Sequence, residues 1–338
     1  MSIDLRSDTV TRPTPGMLKF MFDAKVGDDV FREDPSINEL EAKAAAIFGK
    51  EAGIYCPSGT MTNQVAIKAH TQPGDEVMCD VTAHIFNYEG GGMAFNSGVQ
   101  AKLINGNHGR YTAAQLTESL HPEADWLPRT SLVAIENTSN RGGGSYYTIK
   151  NAREISEVCK ANKLSFHLDG ARIFNALTET REDPKEWGKI CDSISVCFSK
   201  GLGAPVGSVL LGSKEFIAKA RRVRKLFGGG MRQGGYLAAA AIYALDHHVK
   251  RLKDDHKRAK HIAGLLKGKS FIEDMYPVET NIIILNLKSD MPAEKFMTTL
   301  KKDDILVSQM GKQAVRIVTH LDFTDDMLTT VEKAINKL

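Results

Sequence analysis

A chain of 338 residues, 42% hydrophobic and 25% charged, with a formal net charge of +3, has the make-up of a globular protein with one large domain or a large and a small one. So small a charge argues against a general nucleic-acid role, and no apolar run approaches the length of a membrane span.

The start, MSIDLRSDTV, is polar from its second residue and does not read as a secretory signal. In SINELEAKAAAIFGK, Ser36 with Glu39 three residues on predicts a capping box, and Gly49 the helix stop. AGIYC then reads as a strand, TMTNQVAIKAH as a helix, DEVMCD as a strand and TAHIFNYEGG as helical. VQAKLI, SLVAIEN, LSFHLD, SISVCF and GSVLLG are further strands. Continuous apolar strands alternating with helices predict an α/β fold: a mainly parallel central sheet with helices on both faces. From Ser213 the pattern changes to long helices, KEFIAKARRVRKLF and then YLAAAAIYALDHHVKRLKDDHKRAKHIAGLL. NIIILNL, AEKFMTTLKK, AVRIVTH and DDMLTTVEKAINKL close the chain as a small C-terminal α/β unit. The expected division is a large domain over residues 1–245 and a small one over 246–338. Five scattered cysteines, Cys56, Cys79, Cys159, Cys191 and Cys197, read as buried free thiols of a reducing cytoplasm.

In open α/β sheets, ligands sit beyond the carboxyl ends of the strands. Polar residues that follow strands here are Ser58, Gly59 and Thr60, then His84, then Glu136 and Asn137, then Asp169 and Arg172, and finally Lys200. Each is ordinary alone: a lysine at a strand end is usually a surface residue, and Asp-Gly is usually a turn. Together they suggest one site. An ammonium buried where SVCFSKGLGAPVGS leaves its strand is costly unless neutral or covalently engaged, and a desolvated lysine is a nucleophile for carbonyls. The small residues after it leave room for a flat partner. Pyridoxal 5′-phosphate suits such a site, held as a Schiff base on Lys200 with the Asp169 carboxylate facing its ring nitrogen. PSGTMTNQ supplies a phosphate site, because Ser58-Gly59-Thr60 leads into a helix whose free N–H groups favour an anion.

DLRSDTVTRPTPGM, VGDDVFREDPSINELE, CPSGTMTNQVAI, AHIFNYEGGG, HLDGARIFNA, SVCFSKGLGAPVGS and GGGMRQ, in that order, resemble the low-specificity threonine aldolases. These are enzymes of the pyridoxal-phosphate-dependent transferase fold (fold type I). The resemblance implies that Lys200 carries the cofactor, Asp169 pairs with its ring nitrogen, and His84 stacks on the ring and assists proton transfer. It implies that Gly59 and Thr60 hold the phosphate with Arg232 and Lys225, reaching in from a neighbouring subunit. Ser7, Arg172 and Arg316 would bind the substrate carboxylate, for which a guanidinium fork is suited. Ser7 reads equally well as a cap, and Arg316 as an exposed strand residue. The implied reaction is retro-aldol cleavage of threonine, allo-threonine and related β-hydroxy-α-amino acids to glycine and an aldehyde. The implied assembly is a cytoplasmic homo-oligomer with dimer-built sites, a tetramer, with no metal, nucleic acid or membrane partner. One position departs from the family: many members have histidine where this chain has Ser139, and serine does not titrate near neutrality. That keeps open a β-eliminating lyase or a racemase on the same scaffold; a non-catalytic amino-acid-binding protein is the reading from another class.

Other signals point to structure. GLGAPVG lacks the spacing of a dinucleotide motif, and GLLKGKS is one residue short of a P-loop. LDHHVKRLKDDHKRAKH has no histidine pair at helical zinc spacing, and KARRVRK, apart from Lys225, reads as a charged helix face.

Overall fold

The computed structural model describes residues 2–338. Its centre is a seven-stranded sheet made of β2 (Ala52–Cys56), β3 (Glu76–Asp80), β4 (Gln100–Ile104), β5 (Thr130–Glu136), β6 (Ser165–Gly170), β7 (Ser193–Cys197) and β8 (Ser208–Gly212). Across the sheet the order is β2-β8-β7-β6-β5-β3-β4. From β7 to β4 every pairing is parallel; β8, the GSVLLG strand, is antiparallel to both neighbours. The sheet is thus mainly parallel, as expected, with one reversed strand.

Successive side chains of a strand point to opposite faces, and here both faces are covered. Val133, Ile135, Phe166, Leu168, Ile194 and Val196 join one buried cluster, whereas Leu132 and Ala134 join another. This explains why the strands read as unbroken apolar runs. All five cysteines are free and buried.

Before this sheet comes β1 (Ile3–Asp4), and after it come β9 (Ile272–Met275), β10 (Ile282–Leu287), β11 (Ile305–Leu306), β12 (Ser308–Gln309) and β13 (Ala314–Val318). Strands β12-β13-β10-β9 form an antiparallel sheet. A separate buried cluster, including Ile262, Leu285, Phe296, Val315 and Ile335, lies at this end of the chain. Ile3 and Leu5 belong to that cluster, and β1 pairs in parallel with β11. Among the described residues, no helix is long and apolar enough to cross a membrane.

Three local expectations need correction. The first long helix, Pro35–Phe48, is capped by Asp34, whose carboxylate accepts from the Ile37 N–H, with Pro35 in the first turn. Proline has no N–H to lose there, which moves the start ahead of Ser36. Ser36 instead donates to the Lys25 carbonyl; Gly49, at φ 63°, does end the helix. The stretch read as one helix from Tyr236 to Leu266 is two, Gly235–His247 and Leu252–Leu266. At the break, the His248 ring donates through Nδ1 to the Leu202 carbonyl and the Arg251 side chain to that of Gly201, which ties the turn to the Lys200 loop. TAHIFNYEGG contains only a short helix, His84–Asn87, closed at Tyr88 and followed by turns at Gly90 and Gly91, both with positive φ.

Candidate active site

The carboxyl ends of β5, β6 and β7 stand side by side. Glu136 is the register partner of Asp169, and Asp169 that of Ser195. Lys200 follows three residues after the end of β7, in the loop that returns as β8. Its carbonyl accepts from Thr11 Oγ1 at 2.8 Å and from the Gly203 N–H at 2.8 Å, which pins the backbone under the amine. The side chain is half-buried rather than buried. The small residues around it do not open the cleft either. Gly203 and Gly207 have φ of 77° and 113° and shape the turn. A Cβ at Gly203 would meet Leu321, and one at Gly207 the Tyr55 hydroxyl.

A cleft of about 430 Å³ gathers Ser7, His84, Arg172, Lys200 and Arg316, together with Glu136. Five of the expected residues are therefore in one place. Gly59 is close by: a Cβ there would lie 3.9 Å from Cys197 Sγ and 3.5 Å from Ser208 Oγ. Ser58 caps the Gly59–His70 helix, its Oγ accepting from the Met61 N–H, and Thr60 is exposed in the first turn. Lys225 and Arg232 lie apart from the cleft. Lys225 lines a larger cavity of about 880 Å³ beside helix Lys214–Leu226. Arg232 is paired with Asp28 at 2.7 Å on the surface. The arginine that is buried here is the neighbouring Arg224, which holds the Tyr55 carbonyl and the Asp29 carboxylate, each at 2.6 Å.

The floor of the site is a knot of carboxylates and amides. Asn63 Nδ2 donates to Glu89 Oε1 and to Asp169 Oδ2, both at 2.9 Å. Glu89 also accepts from Gln64 Nε2 at 2.6 Å and from His84 Nδ1 at 2.9 Å. Burial pushes the His84 imidazole down, but the Glu89 hydrogen bond and the charges of Asp169, Glu89 and Glu136 outweigh it and raise its pKa. With Nδ1 committed to Glu89, Nε2 is the ring nitrogen left for proton exchange. His84, Glu89 and Asp169 offer ligand atoms within 4.8 Å of one another. The Asn63 amide already bridges the two carboxylates, so they form a hydrogen-bonded cluster. Glu136 accepts from the backbone N–H groups of His84 and Asn140, at 3.0 and 2.9 Å. Burial and the Asp169 charge nevertheless push its carboxyl up to about 7.

Both cleft arginines are anchored. Arg172 makes two hydrogen bonds of 2.7 Å to Asp8. Arg316, opposite Ser308 and Ile284 in the β13 ladder, donates to Asn140 Oδ1 at 2.7 Å and to the Arg6 carbonyl at 3.0 Å. Ser7 fulfils both of its readings: it caps the Asp8–Val10 turn through Thr9 and lines the cleft.

The donor set fits a phosphorylated pyridine aldehyde. An amine, a carboxylate and a capped helix N-terminus supply a partner for each of its three functional groups. Two buried atoms, Arg316 Nε and Ser208 Oγ, have no hydrogen-bond partner among the described residues.

The sequence model of the family described as "Beta-eliminating lyase" matches residues 4–290. The chain belongs to the beta-eliminating lyase family. It is 40% identical over 330 residues to low-specificity L-threonine aldolase 1 of Arabidopsis thaliana, covering 96% of this chain and 92% of that protein. To the low specificity L-threonine aldolase of Escherichia coli K12 it is 39% identical, covering 97% of each. The solved threonine aldolase of Leishmania major superposes with a TM-score of 0.86 at 19% identity, over 99% of both chains. The fold is that of the pyridoxal-phosphate-dependent transferases, fold type I.

For this member of the beta-eliminating lyase family, Ser139 is not among the residues that line the cleft. Its Oγ accepts from the Gly142 N–H at 3.1 Å, and a Cβ on Gly109 would overlap it. Asp8, Asn63, Glu89 and Asn140 support the site but were not singled out from the sequence. Asp8 and Glu89 do fall within quoted family stretches, DLRSDTV and AHIFNYEGGG; for Glu89 an acid set directly before three glycines is the available signal.

Proposed function

We propose that this chain cleaves threonine, allo-threonine and related β-hydroxy-α-amino acids to glycine and an aldehyde, using pyridoxal 5′-phosphate. The observation that carries this reading is the single cleft joining Lys200, His84, Arg172 and Arg316, with His84 linked through Glu89 and Asn63 to the Asp169 carboxylate. Lys200 would hold the cofactor through Nζ, Asp169 would keep its ring nitrogen protonated, and Ser58, Gly59 and Thr60 would take the phosphate at the helix N-terminus. When bound, the cofactor supplies an electron sink for the pair released as the Cα–Cβ bond breaks.

The protein's own task is to orient the substrate and move protons. Arg172, Arg316 and Ser7 would grip the substrate carboxylate, and that grip fixes which bond at Cα stands ready to break. Arg172 has donors beyond the two given to Asp8. His84 Nε2 would take the β-hydroxyl proton, leaving the aldehyde; a proton delivered to Cα completes glycine. With no histidine in place of Ser139, His84 is the imidazole available among the cleft residues.

Finer parts of this reading concern assembly. Lys225 and Arg232 lie outside the cleft of their own chain, which suits a phosphate contact made to a second copy in a dimer-built tetramer in the cytoplasm. The division into units at about residue 245 belongs here too, supported by the separate buried cluster of the C-terminal part, with β1 crossing to it.

A coupled assay tests the function. Threonine should give glycine and acetaldehyde. Pyruvate and ammonia from serine or cysteine, with no glycine from threonine, would establish β-elimination instead. Unchanged cofactor absorbance on adding any amino acid would favour a binding protein.

A further inference from the structure

A line of buried and half-buried polar groups leads away from Asp169 between β6, β7 and the Gly59–His70 helix. His167 and Asp169 occupy one face of β6, opposite Phe166 and Leu168, which enter the main core. His167 Nε2 lies 3.2 Å from Asn63 Oδ1, and its Nδ1 lies 2.8 Å from Ser193 Oγ. Ser193, the register partner of His167, is in turn 2.8 Å from His70 Nε2.

The donors along this line can run only one way. Asn63 spends its Nδ2 hydrogens on two carboxylates, so its Oδ1 must accept. The partner is His167, which must therefore carry its proton on Nε2. Burial keeps both rings neutral, pushing His167 down to about 4 and His70 to about 3, so each has one N–H to give. His167 Nδ1 is then an acceptor for the Ser193 hydroxyl, and Ser193 Oγ accepts from His70. Turning the Asn63 amide over would set its oxygen against Glu89 and Asp169. Hydrogen bonds aligned head to tail polarise one another, and this row ends on the carboxylate assigned to the cofactor ring.

We propose that His167 is a positioning residue for the cofactor: through Asn63 it fixes Asp169 as an acceptor-only carboxylate, with Ser193 and His70 setting the His167 tautomer. The proposal rests on the pyridoxal phosphate reading above. Without the His167 donor, Asn63 Oδ1 is left without its partner in a buried site, the amide is held from one side only, and the hydrogen bond that stabilises the Asp169 charge weakens. A ring nitrogen less firmly held cationic withdraws less charge, so the nitrogen attached to the cofactor aldehyde becomes more basic.

The test uses full-length holoenzyme and compares wild type with His167→Phe, His167→Gln and Ser193→Ala. Two quantities are read: the dissociation constant for pyridoxal phosphate and the pH midpoint of the bound-cofactor absorbance. His167→Phe should weaken binding about tenfold and raise the midpoint. His167→Gln, whose amide can still donate to Asn63, should recover most of both. Ser193→Ala should raise the midpoint by less. A wild-type dissociation constant and midpoint in both His167→Phe and Ser193→Ala would overturn the proposal while leaving the function intact. So would equal losses in His167→Phe and His167→Gln, because shape rather than the donor would then matter. If His167→Phe does not fold, an unshifted midpoint in Ser193→Ala overturns it alone. Failure of wild type to take up the cofactor would remove the function and this proposal together.

Discussion

The guanidinium of Arg172 and the carboxylate of Asp8 meet in a buried two-point contact, Nε to Oδ2 and Nη2 to Oδ1, both 2.7 Å. The pair ties the first residues of the chain to the exit of β6. Asp8→Asn would leave Arg172 with a buried, uncompensated charge, which typically costs about 3–5 kcal/mol. Guanidinium unfolding should show that loss, and a midpoint equal to wild type would contradict it.

Acid titration of the same pair gives a second prediction. Burial pushes the Asp8 carboxyl up, but Arg172, with Lys200 and Asn281, holds it down at about 2 against an ordinary 3.8. A depressed carboxylate stabilises the fold above its unfolded pKa, and that contribution is lost as pH falls through the folded value. The difference corresponds to about 2 kcal/mol, lost between about pH 4 and pH 2. The Asn variant should lack this part of the acid limb in unfolding experiments run across that range.

Glu136 has the opposite sign. Its carboxyl, raised to about 7 by burial and by Asp169 alongside, favours the fold fully below 4.5 and loses that contribution as pH rises to about 7. Difference infrared spectroscopy on the cofactor-free protein should find one protonated carboxyl persisting to near-neutral pH. Asp169→Asn should lower its midpoint, and Glu136→Gln should abolish the band.

Lys200→Ala should eliminate turnover and the absorbance of covalently held cofactor. Full glycine production by that variant would reject the assigned chemistry.

Ser139→Ala should leave the rate of threonine cleavage nearly unchanged, because this side chain turns to Gly142 rather than to the cleft. It should cost about 1 kcal/mol from the lost hydrogen bond. A large fall in kcat at an unaltered melting temperature would place Ser139 in the reaction after all.

The strands were legible because both sheet faces are buried, which writes each one as an apolar run such as SLVAIEN. Lys200, Asp169 and His84 were legible because they follow such runs. The break after His247 was not, since helix-forming residues continue across it and the turn there is tied by the His248 ring to the Leu202 carbonyl, 46 residues away. Asp8 was missed for the same reason. Its burial depends on Arg172, 164 positions later, and the second acid of DLRSDTV does not announce that partner.

The reversed strand β8 has a mechanical corollary. Every other strand that feeds the cleft leaves the sheet for good, into a helix or a long excursion. The segment bearing Lys200 turns back and re-enters beside its point of departure, with the Phe198 N–H bonded to the Gly207 carbonyl at the base. The Lys200 amine is therefore carried on an arch with both feet set in the central sheet, and its reach is limited to the swing of its own four methylenes.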